Sequence, residues 1–211
     1  DLNGNGIFTD STDGNGETIY HTFNSSGWNV ISLLVRDYLT NDICQDTIQD
    51  SIYVYTKPTA YFESTIECLN DTTSFDNQSI PSIDAAISSY SWILYDTPID
   101  TSTFFEPNHL FNSSGTFVVS LSIIDENLCT NIYIDSNVVV ASLPQAIISD
   151  TSLCDSTQIQ FIDESINGTY AINSWIWDVN NAFFTLNTDS TTQNPWVQFN
   201  TYGNNQEISL I

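Results

Sequence analysis

Apolar and polar positions alternate along several stretches of this chain with the two-residue period of a half-buried strand. The clearest case is Phe117, Val119, Leu121 and Ile123, interleaved with Val118, Ser120 and Ser122. Trp28 to Val35 and Ile132 to Val140 are similarly rich in β-branched and aromatic residues. Between such stretches lie Asn, Asp, Ser and Gly, the residues of turns. Tyr90, Trp92 and Leu94 fall on one face of a strand, and so do Trp175 and Trp177. No segment combines a helical period with capping residues. The pattern predicts short strands throughout.

The same pattern returns at a fixed interval. The string FNSSG occurs at Phe23 to Gly27 and again at Phe111 to Gly115, a displacement of 88 residues. The match widens to HTFNSSGWNVISLLVRD from His21 over HLFNSSGTFVVSLSIID from His109, ending at Asp37 and Asp125. A fainter copy follows in PWVQFNTYG, where Pro195, Phe199, Asn200 and Gly203 answer Pro107, Phe111, Asn112 and Gly115. Nearby spacings relate Pro58 to Pro144, Phe75 to Phe161, Ser79 to Ser165 and Trp92 to Trp175. Internal periodicity of roughly 86 to 88 residues means tandem units, each the size of a small domain.

Aligning the copies predicts three units: 1–57, 58–143 and 144–211. Only the second is complete. The first opens just beyond the expected counterpart of Trp92, and the third stops within the segment matching Val119 to Ile124. Ends that interrupt a core are expected of a window from a longer chain. About seven short strands per unit read as an all-β fold of immunoglobulin-type β-sandwiches. The units are joined by TKP around Lys57 and SLP around Leu143. A proline with few free residues makes a stiff joint, so the array is expected to be a rod.

These landmarks resemble the PKD (polycystic kidney disease) domain, an immunoglobulin-like module found in tandem in surface and secreted proteins. Phe75 to Ser79 and Phe161 to Ser165 look like its early strand. Trp92-Ile93-Leu94 and Trp175-Ile176-Trp177 look like its central Trp-x-Phe, and DLNGNG at the start resembles its acidic Gly-rich turn. Pro107-Asn108-His109-Leu110-Phe111, then Gly115 and Asp125, is similar to its last element, with Phe in place of Tyr. The second and third units depart from the family in the turn, reading YDTPID and DVNN. The resemblance implies a structural or binding module. It extends to repeats of giant Bacteroidota surface proteins, including gliding-motility adhesins exported by the type 9 system.

Composition narrows the partners. The chain has 26 acidic residues against Arg36 and Lys57, for a net charge of -24. Nucleic acid is excluded, because phosphate neutralisation needs clustered Lys and Arg, and anionic membrane surfaces are disfavoured by the same argument. With 12 Phe, 10 Tyr and 5 Trp the chain has enough apolar surface to fold. No run reaches the length of a membrane span. An extracellular, cell-surface location is expected.

Little here points to catalysis. His21 and His109 occupy equivalent positions, where the third unit has Val197. A position that valine can fill serves packing or edge bonding, so no enzyme activity is expected. Two histidines, four separated cysteines and one lysine assemble no nucleophilic triad, zinc site or phosphate loop. Asp1, Asn3, Asn5 and Gly6, with Asp10 beyond, reproduce the first half of a calcium loop. The acidic residue expected at its twelfth position is replaced by Thr12, and a plain Asx-rich turn fits the same residues.

Cys44 and Cys129 follow the strand that ends at Asp37 and Asp125; Cys68 and Cys154 lie between the first two strands of their units. Those places are opposite poles of a sandwich, about 20 Å or more apart for strands of this length. A disulfide needs Cα atoms within about 7 Å, which disfavours Cys68 to Cys129. A staple between neighbouring units, free thiols and a bent bridge within one unit all remain open. The sequons at Asn24 and Asn112 lie inside FNSSG and are expected to serve its turn. Two functions are expected: a stalk segment of a long adhesin or filament, or accessory carbohydrate- or protein-binding modules of a secreted hydrolase, with Trp196 as a candidate sugar platform.

Overall fold

The computed structural model describes residues 1–2, 4, 18–39, 42–149, 158–200 and 207–211. Every regular element among them is a β-strand.

The middle of the chain folds as an immunoglobulin-like sandwich of eight strands. These are β3 (Phe62–Ser64), β4 (Glu67–Cys68), β5 (Thr73–Asn77), β6 (Ile87–Leu94), β7 (Asp100–Ser102), β8 (Asn108–His109), β9 (Gly115–Asp125) and β10 (Thr130–Ala141). One sheet runs β3-β5-β8, the other β4-β10-β9-β6-β7. Alternation decides what lies between them. Phe62 and Phe75 come from the first sheet; Trp92, Leu94, Val119, Leu121, Ile123, Val138 and Val140 come from the second, and all are buried. Phe62 packs 5.0 Å from Trp92 and 5.8 Å from Phe75, centroid to centroid, in tilted and edge-on arrangements. Each such side chain contributes about 1.5–3 kcal/mol by leaving water. Trp92 can be wholly buried because its indole N–H donates to the Phe104 carbonyl at 2.9 Å.

The closing Asp125 is also fully buried. Its Oδ1 accepts the N–H groups of Asn127 and Cys129 at 3.0 and 2.8 Å, tying off the β9–β10 hairpin. Cys68 lies between β3 and β5, in a short strand of its own. The chain leaves β3, crosses to the opposite sheet, and β4 adds to the end of β10 in parallel, pairing Glu67 with Val140 and Cys68 with Ala141.

The last part carries a smaller core of Phe161, Trp177 and Val197. Its strands are β11 (Ile148–Ser149), β12 (Ile159–Gln160), β13 (Ile162–Asp163), β14 (Trp177–Val179), β15 (Ala182–Thr185), β16 (Trp196–Phe199) and β17 (Ile208–Leu210). Part of their pairing mirrors the middle sandwich, since Ile159 faces Val197 as Thr73 faces His109, but β15 pairs with β16 whereas β7 pairs with β6. Trp177 pairs with Leu210 as Trp92 pairs with Leu121, and its indole donates to Thr192 O at 2.9 Å. Trp177, not Trp175, is therefore the counterpart of Trp92. Trp175 stands beside the core and donates to Asp163 Oδ2 at 2.8 Å.

The first part is a long two-stranded ribbon, β1 (Gly27–Leu39) antiparallel to β2 (Asp42–Val54). Asp1 lies against its edge, exchanging backbone bonds with Ser32 at 2.9 and 3.0 Å. Ile93 stands opposite Ser120 in the same way.

Candidate functional site

Three surface features of this fold carry chemistry. The first is the loop that contains FNSSG. Gly27 and Gly115 both have positive φ, 97° and 148°, with nothing near enough to obstruct a Cβ. Backbone conformation, not space, demands glycine there. In the middle sandwich the loop is anchored on Asp96, a buried carboxylate. Asp96 Oδ2 accepts Asn112 N and Asn112 Nδ2, both at 3.1 Å, and faces His109 Nε2 at 3.2 Å. Its Oδ1 accepts Thr97 N at 2.7 Å. Burial disfavours the charge on Asp96, but the N–H groups of Thr97 and Asn112, with His109 beside it, outweigh that and hold its carboxyl below the usual range. His109 Nδ1 in turn faces Asp100 Oδ2 at 3.2 Å. Both ring nitrogens thus meet carboxylates, and the imidazole acts as a cross-link within the loop cluster.

The positions equivalent to His109 have apolar surroundings. His21 lies edge-on to Phe23 at 4.7 Å, as His109 does to Phe111 at 4.5 Å, and Val197 is fully buried. The Asn112 sequon also serves its turn, since its amide nitrogen donates to Asp96 and Thr97 O. The sequence pattern does not point to Asp96. Its partners lie 13 and 16 residues away in sequence, so no local spacing announces it.

The second feature is an open, acidic groove of about 480 Å³ on the outer side of the β3-β5-β8 sheet. Glu63, Asp76 and Glu106 line it around Phe75. Glu63 and Asp76 are direct cross-strand partners, a like-charge pair that costs stability. Gln78 Nε2 offsets part of this by donating to both, at 3.3 and 2.9 Å. Among the described residues no group of three or more His, Cys, Asp or Glu is placed to hold a metal ion.

The third is an aromatic row on the ribbon. Trp28, 71% exposed, lies edge-on to Tyr53 at 5.3 Å, and Tyr53 to Tyr55 at 5.1 Å. Cross-strand register creates it, because Trp28 pairs with Tyr53. Trp196, the sugar platform suggested by sequence, is instead half-buried, because β15 pairs alongside it through Thr185.

Of the candidate calcium ligands only Asp1 is described; its Oδ1 accepts Gly4 N at 2.8 Å, an Asx-type contact. Asn3, Asn5 and Asp10 lie outside the described residues, as does Cys154. Cys44, Cys68 and Cys129 are free. Cys68 pairs with the last residue of β10 while Cys129 immediately precedes its first, so the two do stand at opposite poles. Burial pushes the Cys129 thiol up, with Asp125 adding to the effect and nearby Lys57 opposing it.

No protein-family model matches the sequence, and no curated protein does. Among solved structures the chain is similar to the PKD1 domain of Vibrio anguillarum Epp, with 26% identity and a TM-score of 0.36 over 41% of this chain and 98% of that one. It is also similar to the PKD1 domain of the Vibrio cholerae metalloprotease PrtV, with 26% identity and a TM-score of 0.36 over 40% of this chain and 99% of that one.

Proposed function

We propose that this chain is a stalk segment of a long secreted or surface-anchored adhesin or filament, in which sandwich units hold one another at fixed angles. The reading is supported chiefly by one observation, the bonding at the joints. Asp84, in the loop between β5 and β6, accepts Thr56 N at 2.8 Å, Thr56 Oγ1 at 2.6 Å and Tyr53 Oη at 2.7 Å. Those donors belong to the end of the ribbon and the linker before Pro58. The next joint repeats the device with other atoms. Ser142, which matches Thr56 at a spacing of 86, donates its N–H to Thr169 Oγ1 at 2.7 Å and accepts Thr169 N at 3.2 Å. Gly168 makes this approach possible, since a Cβ there would fall 2.1 Å from Ser142 O. A tether would have no use for such contacts.

Small-angle scattering on the chain and on Asp84→Ala tests this. The wild type should scatter as one elongated body. The variant should keep its strands by circular dichroism while its scattering broadens towards a flexible ensemble. Indistinguishable profiles, or a flexible wild type, would remove the stalk reading.

The Trp28, Tyr53 and Tyr55 row favours a second reading, a binding module that stacks sugar rings. Glycan binding lost in Trp28→Ala and kept in Trp196→Ala would establish it.

A further inference from the structure

The two outer faces of the middle sandwich differ in charge. On the β3-β5-β8 side stand Glu63 and Asp76, with Glu106 nearby. On the other side the outward positions of β6, β9 and β10 hold Ser, Thr, Val and Ile, with Asn137 at the β10 bulge, and no carboxylate. Register places them in rows: Ile134, Ser120 and Ile93 form one, and Ile132, Ser122 and Ser91 the next. Ile132 and Ile134 are 62% and 61% exposed. In a chain of net charge -24, a flat sheet face with no carboxylate is not what random placement gives. The ribbon repeats it. Its matching positions, Val30, Ser32, Leu34 and Arg36 on β1 with Thr47 and Gln49 on β2, also lack acid.

We infer that this uncharged face of the β4-β10-β9-β6-β7 sheet is a self-association surface that receives the same face of a second copy. Charge selects the occupant. Two copies meeting by any acidic face bring carboxylates together, whereas here they can touch with none on either side. A two-fold axis makes the single patch complementary to itself, and sheets packed face to face at about 10 Å already form the interior of this fold. Three strands about 4.8 Å apart, over roughly seven residues, offer on the order of 350 Å² per copy. That is below the ~800 Å² per partner of a stable complex, so the contact is a weak, lateral one.

Sedimentation velocity of the whole chain tests this. Between about 10 µM and 1 mM the sedimentation coefficient should rise, and the rise should be larger in high salt, which screens the charge of the remaining surface. Ile132→Glu with Ile134→Glu should weaken association at least about tenfold, by setting like charges across the interface. The milder pair Ile132→Ser and Ile134→Ser, which keeps the β10 backbone and adds no charge, should weaken it less. Ile83→Glu, at a position 91% exposed on a loop, should leave it unchanged. A wild type monomeric throughout, or variants that associate as strongly as it does, overturns the inference. Loss of association in Leu33→Ser with Val35→Ser alone overturns it too, by assigning the contact to the ribbon's other face. So does a monomer whose β9 and β10 amide resonances shift only on adding an uncharged glucan.

Discussion

Strands β1 and β9 share a sequence and differ in surroundings. Val119, Leu121 and Ile123 on β9 are 0% exposed, whereas Leu33 and Val35, which match the last two, are 59% and 53% exposed. Both strands nevertheless form, both take a long antiparallel partner, and both begin at a glycine with positive φ. The hairpin is thus written locally, in alternation, β-branching and the turn glycine. Burial is not local. It requires Phe62 and Phe75 from the facing sheet and Trp92 from the neighbouring strand, which have no equivalent against the ribbon among the described residues.

The comparison breaks most sharply at one pair of positions. Leu121→Ala removes a side chain from a closed core and should cost about 2–5 kcal/mol. Leu33→Ala, at the matching position, should stay within about 1 kcal/mol. Urea denaturation followed through amide resonances of each region separates the two. Equal costs would mean that the ribbon is packed in solution as tightly as the sandwich.

Asp96 sharpens the comparison through pH. Its folded carboxyl is held below the ordinary carboxylate value, so its contribution is present above about pH 4 and is lost as pH falls through the folded pKa. Asp96→Asn should cost about 1–3 kcal/mol near neutrality, since the N–H groups that met a charge then meet a neutral amide. At about pH 2 the gap between the two proteins should shrink. Acid also relieves repulsion among the other carboxylates, but it does so in both proteins, so the difference isolates Asp96. The sandwich alone should respond; a matching loss in ribbon amides would show that the two regions unfold together.

What could be read from sequence follows the same division between local and distant causes. The alternation of β9 and the opposite poles of Cys68 and Cys129 were legible because strand period and repeat spacing fix them. The partner of Trp92 was not. In Trp175-Ile176-Trp177 both indoles fall on one strand face, and the spacings of 83 and 85 residues are equally natural. Only pairing with Leu210 chooses Trp177. Asp96 was hidden because its donors come from the far side of a loop, and β4 because its partner is β10, more than sixty residues later. Trp196 is covered by β15, a strand whose pairing no local pattern announces.

The smallest effect concerns the hairpin that closes the sandwich. Leu128 adopts a φ of 64° and is 80% exposed, with its N–H donated to Asp125 O at 3.0 Å. A leucine in the left-handed region carries about 1–2 kcal/mol of strain. Glycine relieves it, while the looser unfolded chain takes back about 0.4–1 kcal/mol. Leu128→Gly should therefore stabilise the sandwich by about 0.5–1 kcal/mol, and the loss of an exposed side chain removes no packing. Because the hydrogen bonds of Asp125 to Asn127 and Cys129 hold the turn, the gain should vanish in Asp125→Ala, where the hairpin no longer imposes that conformation. The ribbon's amides should be indifferent to both changes, which would place the stabilising detail of the repeat in its turns and leave its strands the same in either setting.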